Sequence, residues 1–279
     1  MKAAARLARA LFASSHPGPT LAVTTVTIAL AIGAGLEPWR VAVLGAAMLF
    51  DQLSVGLSND WIDARRDKAV GRTDKPIATG AISTSVVRAS AIVCAVLAIA
   101  LTIPLGPAAT LLHVTVLTSA WLYNAWLKNT ALSVAPWVLS FGLLPTLVTM
   151  SNSTPMFAAW WACGAGALLG TAAHFANVLP DLEADRVTGI HGLPHRLGLR
   201  TSGLVIAFAL GAASALLYFG VPGLVQAIGL ALGLTLAIAS VVLVLRGSAT
   251  RLLFRLIIVA ALADVIVLAS SGGSLYFAS

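Results

Sequence analysis

Asn59, Asp63 and Asp67 recur every four residues, which sets an amide and two carboxylates along one slowly turning helical face. Like charges stacked at that spacing repel, and carboxylate and amide oxygens are the ligands that a hard divalent cation prefers. The stretch reads Asn-Asp-Trp-Ile-Asp-Ala-Arg-Arg-Asp and ends a long apolar run, so these acids stand at the edge of a bilayer. A solvated helix end carrying surface acids has the same local pattern, and the nine residues alone do not separate the two readings.

The second half of the chain separates them. Asn177, Asp181 and Asp185 repeat the spacing 118 residues later. At the same offset Lys68 is matched by Arg186, Gly71 by Gly189, Pro76 by Pro194 and Gly80 by Gly198. Two copies of one acidic element indicate an internal duplication, and internal repeats in membrane proteins commonly place the functional site where the copies face each other.

With 59% hydrophobic residues, 10% charged residues and a mean hydropathy of +0.95, the chain reads as an all-α polytopic membrane protein. Apolar spans near 20–36, 39–58, 83–103, 107–123, 131–150, 155–178, 201–219, 222–245 and 251–271 predict nine transmembrane helices. These form a single domain over 1–279: two four-helix units, about 39–150 and 155–271, plus one extra helix, around a central cavity. Cys94 and Cys163 fall inside spans and read as small buried hydrophobes. Sixteen of the seventeen basic residues fall on one face, Arg40 being the exception. That distribution explains the +7 net charge without nucleic acid. It predicts a cytoplasmic N-terminus, both acidic motifs on the cytoplasmic side and the C-terminus outside.

Seven of the ten acidic residues lie in the two motif segments, with Lys68, Arg72, Lys75, Arg186 and Arg196 around them. Acids gathered with bases at one mouth of an apolar bundle suit an anionic ligand reached through metal ions: a diphosphate held by Mg²⁺, with cations on its free oxygens. The apolar remainder of the cavity suits a substrate with a long hydrocarbon tail.

The arrangement resembles the UbiA-type intramembrane prenyltransferases over essentially the whole chain. The resemblance rests on nine spans, Asn59-Asp60-Trp61-Ile62-Asp63 through Asp67 after the second, Tyr123 and Lys128 after the fourth, and Asp181 with Asp185 after the sixth. The segment Arg72-Thr73-Asp74-Lys75-Pro76-Ile77-Ala78-Thr79-Gly80 also looks like the family's basic-Pro-Leu/Ile-Ala-x-Gly segment.

The resemblance implies two Mg²⁺ ions bridging the diphosphate of an isoprenoid donor. Asn59, Asp63 and Asp67 would hold one, and Asp181 and Asp185, with Asn177 beside them, the other. Arg72, Lys75 and Lys128, with Lys68 and Arg186, would neutralise the remaining oxygens, and Tyr123 would orient the group. Two departures stand at the mouth: Lys75 replaces an Arg of many relatives, and His191 to His195 replaces a Thr-containing sequence.

Asp51 inside the second span, His174 on the face of Asn177 and Asp181, and Trp61 in the first motif are the candidate cavity and acceptor residues. Gln52 and His113 are weaker candidates, and Asp264 is expected to make a structural hydrogen bond. The expected activity is Mg²⁺-dependent transfer of a prenyl chain from its diphosphate to a small lipophilic or aromatic acceptor, amid membrane lipids. Three alternatives stay open: an intramembrane terpene cyclase, transfer to a phosphorylated sugar or glycerol, and a transporter. Acids clustered at one face and not at mid-depth speak against the transporter.

Overall fold

Proline opens helix after helix in this chain, where a missing N–H costs nothing. A computed structural model describes residues 2–182, 189–246 and 251–276. Its α-helices are α1 (Lys2–Ser14), α2 (Pro17–Gly33), α3 (Pro38–Ala69), α4 (Thr84–Thr102), α5 (Pro107–Ala125), α6 (Ala135–Met150), α7 (Trp160–Val178), α8 (Leu193–Gly220), α9 (Leu224–Leu245) and α10 (Arg251–Ser270). Pro17, Pro38, Pro107, Pro136 and Pro194 stand in the first turns of α2, α3, α5, α6 and α8. Ser83 caps α4 by accepting the Val86 N–H at 3.3 Å.

Four segments, 38–69, 84–105, 193–220 and 224–245, are long and apolar enough to cross a bilayer, and 17–33, 135–150 and 258–270 are shorter apolar helices. The helices depart from the sequence reading at several points, the second expected span running on to Ala69. The sixth expected span begins at Trp160, because 151–159 runs outside helix and Ala158 pairs as an isolated bridge with Tyr276. The seventh begins at Leu193 and kinks at Gly198, whose φ is 76°. Residues 2–14 form a further helix outside the nine expected spans.

Consecutive helices pack side by side, and α10 returns to lie against α2. The Tyr276 hydroxyl donates to the Ala34 carbonyl at 2.6 Å, and the Ala159 N–H donates to the Leu275 carbonyl at 2.7 Å. This turn after α10 thereby ties the end of α2 to the start of α7. The duplication shows in the backbone: Gly71 and Gly189 have φ of 68° and 79°, and Gly80 and Gly198 both have 76°. Glycine at both copies is what a left-handed residue requires.

Glycines also set the helix crossings. A β-carbon on Gly170 would lie 2.5 Å from the Trp137 carbonyl oxygen, and Gly166, one turn earlier, is as close to Phe141. Helices α6 and α7 therefore touch backbone to backbone along a small-xxx-small stripe. Gly170→Ala is expected to force them apart and cost about 1–3 kcal/mol; a lower midpoint in a detergent thermal melt would show it. In the other half Ser214 donates to Asp264 at 2.6 Å beneath Gly233, so Asp264 is a fully buried link between α8 and α10.

Candidate active site

Helix α3 has 32 residues, which at ~1.5 Å each is about 48 Å, well beyond the ~30 Å hydrocarbon core. Its last three turns therefore reach past the apolar region and carry the first acidic motif. Arg66 and Lys68 in the final turn complement the helix dipole. Asp63 and Asp67 are buried, and Asn59, Asp63 and Asp67 all line one cavity of about 500 Å³.

Asp63 is the centre of charge. One carboxylate oxygen accepts from Lys128 Nζ at 2.5 Å and the other from Arg66 Nη2 at 2.9 Å. Arg66 also stands 3.7 Å from Asp67. Lys128 is only 8% exposed, on the short turn after α5. Burial pushes its ammonium below the usual lysine range, against the opposing pull of Asp63. The amide nitrogen of Asn59 donates to Asn124 Oδ1 at 3.4 Å, which leaves the Asn59 oxygen for a ligand. Asn124 is fixed in turn by donating to the Val55 carbonyl and Ser58 Oγ, both at 2.9 Å.

The loop after α3 closes over the mouth by separate pairings. Asp60 accepts from Lys75 Nζ at 2.6 Å, and His16 Nε2 lies 3.0 Å from the same oxygen. His16 holds a left-handed φ of 52°, and a β-carbon on Gly56 would meet the Ser15 backbone, so the start of α2 is seated closely on α3. Arg72 donates two bonds to Asp74, at 2.8 and 2.7 Å, and these hold the Asp74 carboxyl down to about 2. Because that group is lowered in the folded state, its clasp is complete above the ordinary Asp range and opens only as pH falls through about 2. Asp74→Asn should therefore leave the shape of a pH–activity profile above pH ~4 unchanged.

Of the residues singled out in the sequence, the cavity collects Asp51, Asn59, Asp63, Asp67, Arg72, Lys75, Tyr123, Lys128, His174 and Asn177. Lys68 is exposed and does not line it, and Trp61 packs edge-on against Trp121 at 6.1 Å with Arg88 above its ring. Arg246, the repeat partner of Lys128, is exposed at the end of α9. Asp185 and Arg186 lie outside the described residues, as does the side chain of Asp181. Within the described part of the second motif, α7 ends at Val178 and the chain tightens to a 3₁₀ turn over Leu179–Asp181, where the first motif stays α-helical. Pro180 explains the break, since it lacks an N–H and crowds the preceding turn.

The sequence reading passed over four lining residues: Arg66, His16, Trp137 and Phe141. Arg66 was legible three residues beyond Asp63, at ion-pair spacing. Trp137 and Phe141 stack at 6.0 Å, and Trp137 and Tyr123 pack on His174 at 5.6 and 5.8 Å. His174 Nε2 is 3.0 Å from Ser133 Oγ, while its buried Nδ1 has no partner among the described residues. Aromatic faces thus form one wall between the charged mouth and the apolar depth.

A model of the UbiA prenyltransferase family matches residues 20–253. The chain belongs to that family. Solved structures agree in fold. A UbiA homolog from Aeropyrum pernix K1 superposes with a TM-score of 0.68 at 20% identity, covering 86% of this chain and 94% of that one. A UbiA homolog from Archaeoglobus fulgidus bound to GPP and Mg²⁺ gives 0.69 at 12%, covering 94% and 99%. A digeranylgeranylglyceryl phosphate synthase structure gives 0.67 at 13%, covering 96% and 99%. No curated protein matches the chain in sequence. The apolar helices and the family together make this UbiA prenyltransferase an integral membrane enzyme.

Proposed function

We propose that this UbiA prenyltransferase transfers an isoprenyl chain from its diphosphate to a small, aromatic acceptor, with Mg²⁺ at the cytoplasmic mouth. Nine helices, α2 to α10, would span the membrane as two four-helix units plus α2, with the N-terminus inside and the C-terminus outside. The observation that carries the reading is Asp63, buried at the mouth of an apolar cavity with Lys128 and Arg66 on its two oxygens. Carboxylates and cations interleaved in this way suit a ligand that brings both negative oxygens and a divalent ion. The A. fulgidus homolog was solved with GPP and Mg²⁺, and in a second structure with DMAPP and Mg²⁺.

The residues fit magnesium. Asn59, Asp63 and Asp67 supply only oxygen donors, and the Asn59 amide nitrogen is already committed to Asn124. These three would hold one ion, and Asp181 and Asp185 with Asn177 a second. Bound there, the ions offset the charge that develops on the departing diphosphate. Lys128 and Arg66, released from Asp63 in part, would bind its free oxygens together with Lys75 and Arg72, and Tyr123 would orient it. As the allylic C–O bond breaks, positive charge grows on the chain beside Tyr123, Trp137 and Phe141, whose ring faces attract a cation. The aromatic acceptor attacks that carbon, and its ring proton then passes to the released diphosphate. The surrounding hydrocarbon keeps out water, the competing nucleophile.

The test is release of diphosphate from a labelled prenyl diphosphate by the purified protein with Mg²⁺, alone and with a panel of aromatic acceptors. Acceptor-dependent release with a prenylated product is expected. Release without acceptor, giving a cyclic hydrocarbon or alcohol, would replace transfer by cyclisation. That second reading draws on the same aromatic wall, which is the lining a cyclase needs to steer a cation.

A further inference from the structure

The geometry points to Gln52, held by Asp51, as the group that recognises the acceptor, and to a neutral hydroxyl as what it recognises. The inference rests on the transfer reading above and names the acceptor's chemical class. Asp51 and Gln52 precede Asn59 by eight and seven residues on α3, which places them about 10–12 Å deeper than the acidic motif. Both line the cavity.

A line of polar contacts runs from Thr102 through His113 and Asp51 and ends at Gln52. Thr102 Oγ1 lies 2.8 Å from the Ala98 carbonyl and 2.6 Å from His113 Nδ1. His113 Nε2 then stands 3.4 Å from Asp51 Oδ1, and neither atom has a hydrogen bond among the described residues. The second Asp51 oxygen accepts the Gln52 amide N–H at 2.8 Å. Asp51 and His113 are 0% exposed, whereas Gln52 is half-buried at the cavity wall. Asp51 is therefore a positioning residue: it takes one amide N–H and so fixes the orientation of the Gln52 amide, whose carbonyl and second N–H are left for a ligand that both donates and accepts, as a hydroxyl does. Ser140 Oγ, also on the lining, is a buried oxygen with no partner among the described residues.

A hydrocarbon tail laid against these atoms would leave them unpaired, which is unfavourable in an apolar cavity. A carboxylate or phosphate would meet a carbonyl oxygen and a buried acid, while among the described residues Arg66, Arg72, Lys75 and Lys128 all pair at the mouth. A phenolic or alcoholic O–H satisfies the Gln52 carbonyl and brings no charge.

The probes are 4-butylphenol and its methyl ether, titrated into the full-length protein in nanodiscs without Mg²⁺ or donor and followed by tryptophan fluorescence. The phenol should bind about tenfold more tightly than the ether, as one net hydrogen bond allows. In Gln52→Met the preference should fall to about one while ether binding stays the same, and Asp51→Asn, which can still accept the amide, should retain it. Equal binding of the two probes by the wild type, or a preference that survives in Gln52→Met, overturns the inference. If Gln52→Met does not yield folded protein, Ser140→Ala is the milder substitute and should lower the preference several-fold; an unchanged preference counts against the site. Prenyl diphosphate binding in the same preparations separates the two readings. Donor bound without phenol preference sinks this inference alone; phenol preference without donor binding sinks prenyl transfer and leaves the hydroxyl site standing.

Discussion

Asp63→Ala will lower Mg²⁺-dependent diphosphate release by about a thousandfold or more, the largest loss expected from any single change in the protein. The substitution removes a proposed metal ligand and at the same time unpairs Lys128 and Arg66, which lie 2.5 and 2.9 Å from its oxygens. Both effects fall on the group that must leave. The variant should still fold, because Asn59 remains tied to Asn124 and the α3–α4 packing lies elsewhere. Asp60→Ala is the informative neighbour. Asp60 faces Lys75 and His16, so its loss loosens the loop over the mouth and should cost about tenfold, mainly as a higher KM for the donor. Steady-state kinetics on the two variants side by side would check the ranking, and near-wild-type turnover by Asp63→Ala would remove the basis for this site.

Lys128→Met should cost about a hundredfold or more in kcat/KM for the donor, the scale of losing one buried group that stabilises developing negative charge. Lys128 is buried against Asp63, so in the absence of donor it offsets the carboxylate, and in its presence it can turn to the diphosphate. Lys128→Arg should recover little, since a planar guanidinium needs more room than an 8% exposed ammonium occupies. Lys68→Met deletes a charge on an exposed side chain and should lower kcat/KM no more than about twofold. If Lys68 and Lys128 proved equivalent, the charge would act through the general field of the mouth and not through contact.

These outcomes turn on features of unequal visibility in the sequence. The spacing of Asn59, Asp63 and Asp67 was legible because one unbroken α-helix carries all three, and helical period alone brings them to one face. The duplication was legible because its glycines are backbone requirements: a left-handed φ at Gly71, Gly80, Gly189 and Gly198 leaves little else at those positions. Equal spacing in sequence implies equal geometry only where the local structure is equal, and in the second copy the chain tightens to a 3₁₀ turn over Leu179–Asp181 beside Pro180.

Pairings between distant segments were not legible. His16 reaches Asp60 across 44 residues, and Ser133 reaches His174 across 41; nothing local in either segment signals the partner. The aromatic wall was hidden for a related reason. Trp137 and Phe141 read as two more apolar residues of a spanning helix until the close crossing at Gly166 and Gly170 sets them beside His174 and Tyr123.

The contact of α10 with α2, fastened by the Tyr276 hydroxyl on the Ala34 carbonyl, bears on how the protein is made. A ribosome delivers α2 long before α10. Throughout that interval the face of α2 at Gly33, which Ala269 of the final helix covers, is still open, although every described residue that lines the reaction chamber lies at or before His195 and has already been delivered. Docking of the last helix is thus a late event of biogenesis that fastens a bundle whose chamber-lining residues are already made.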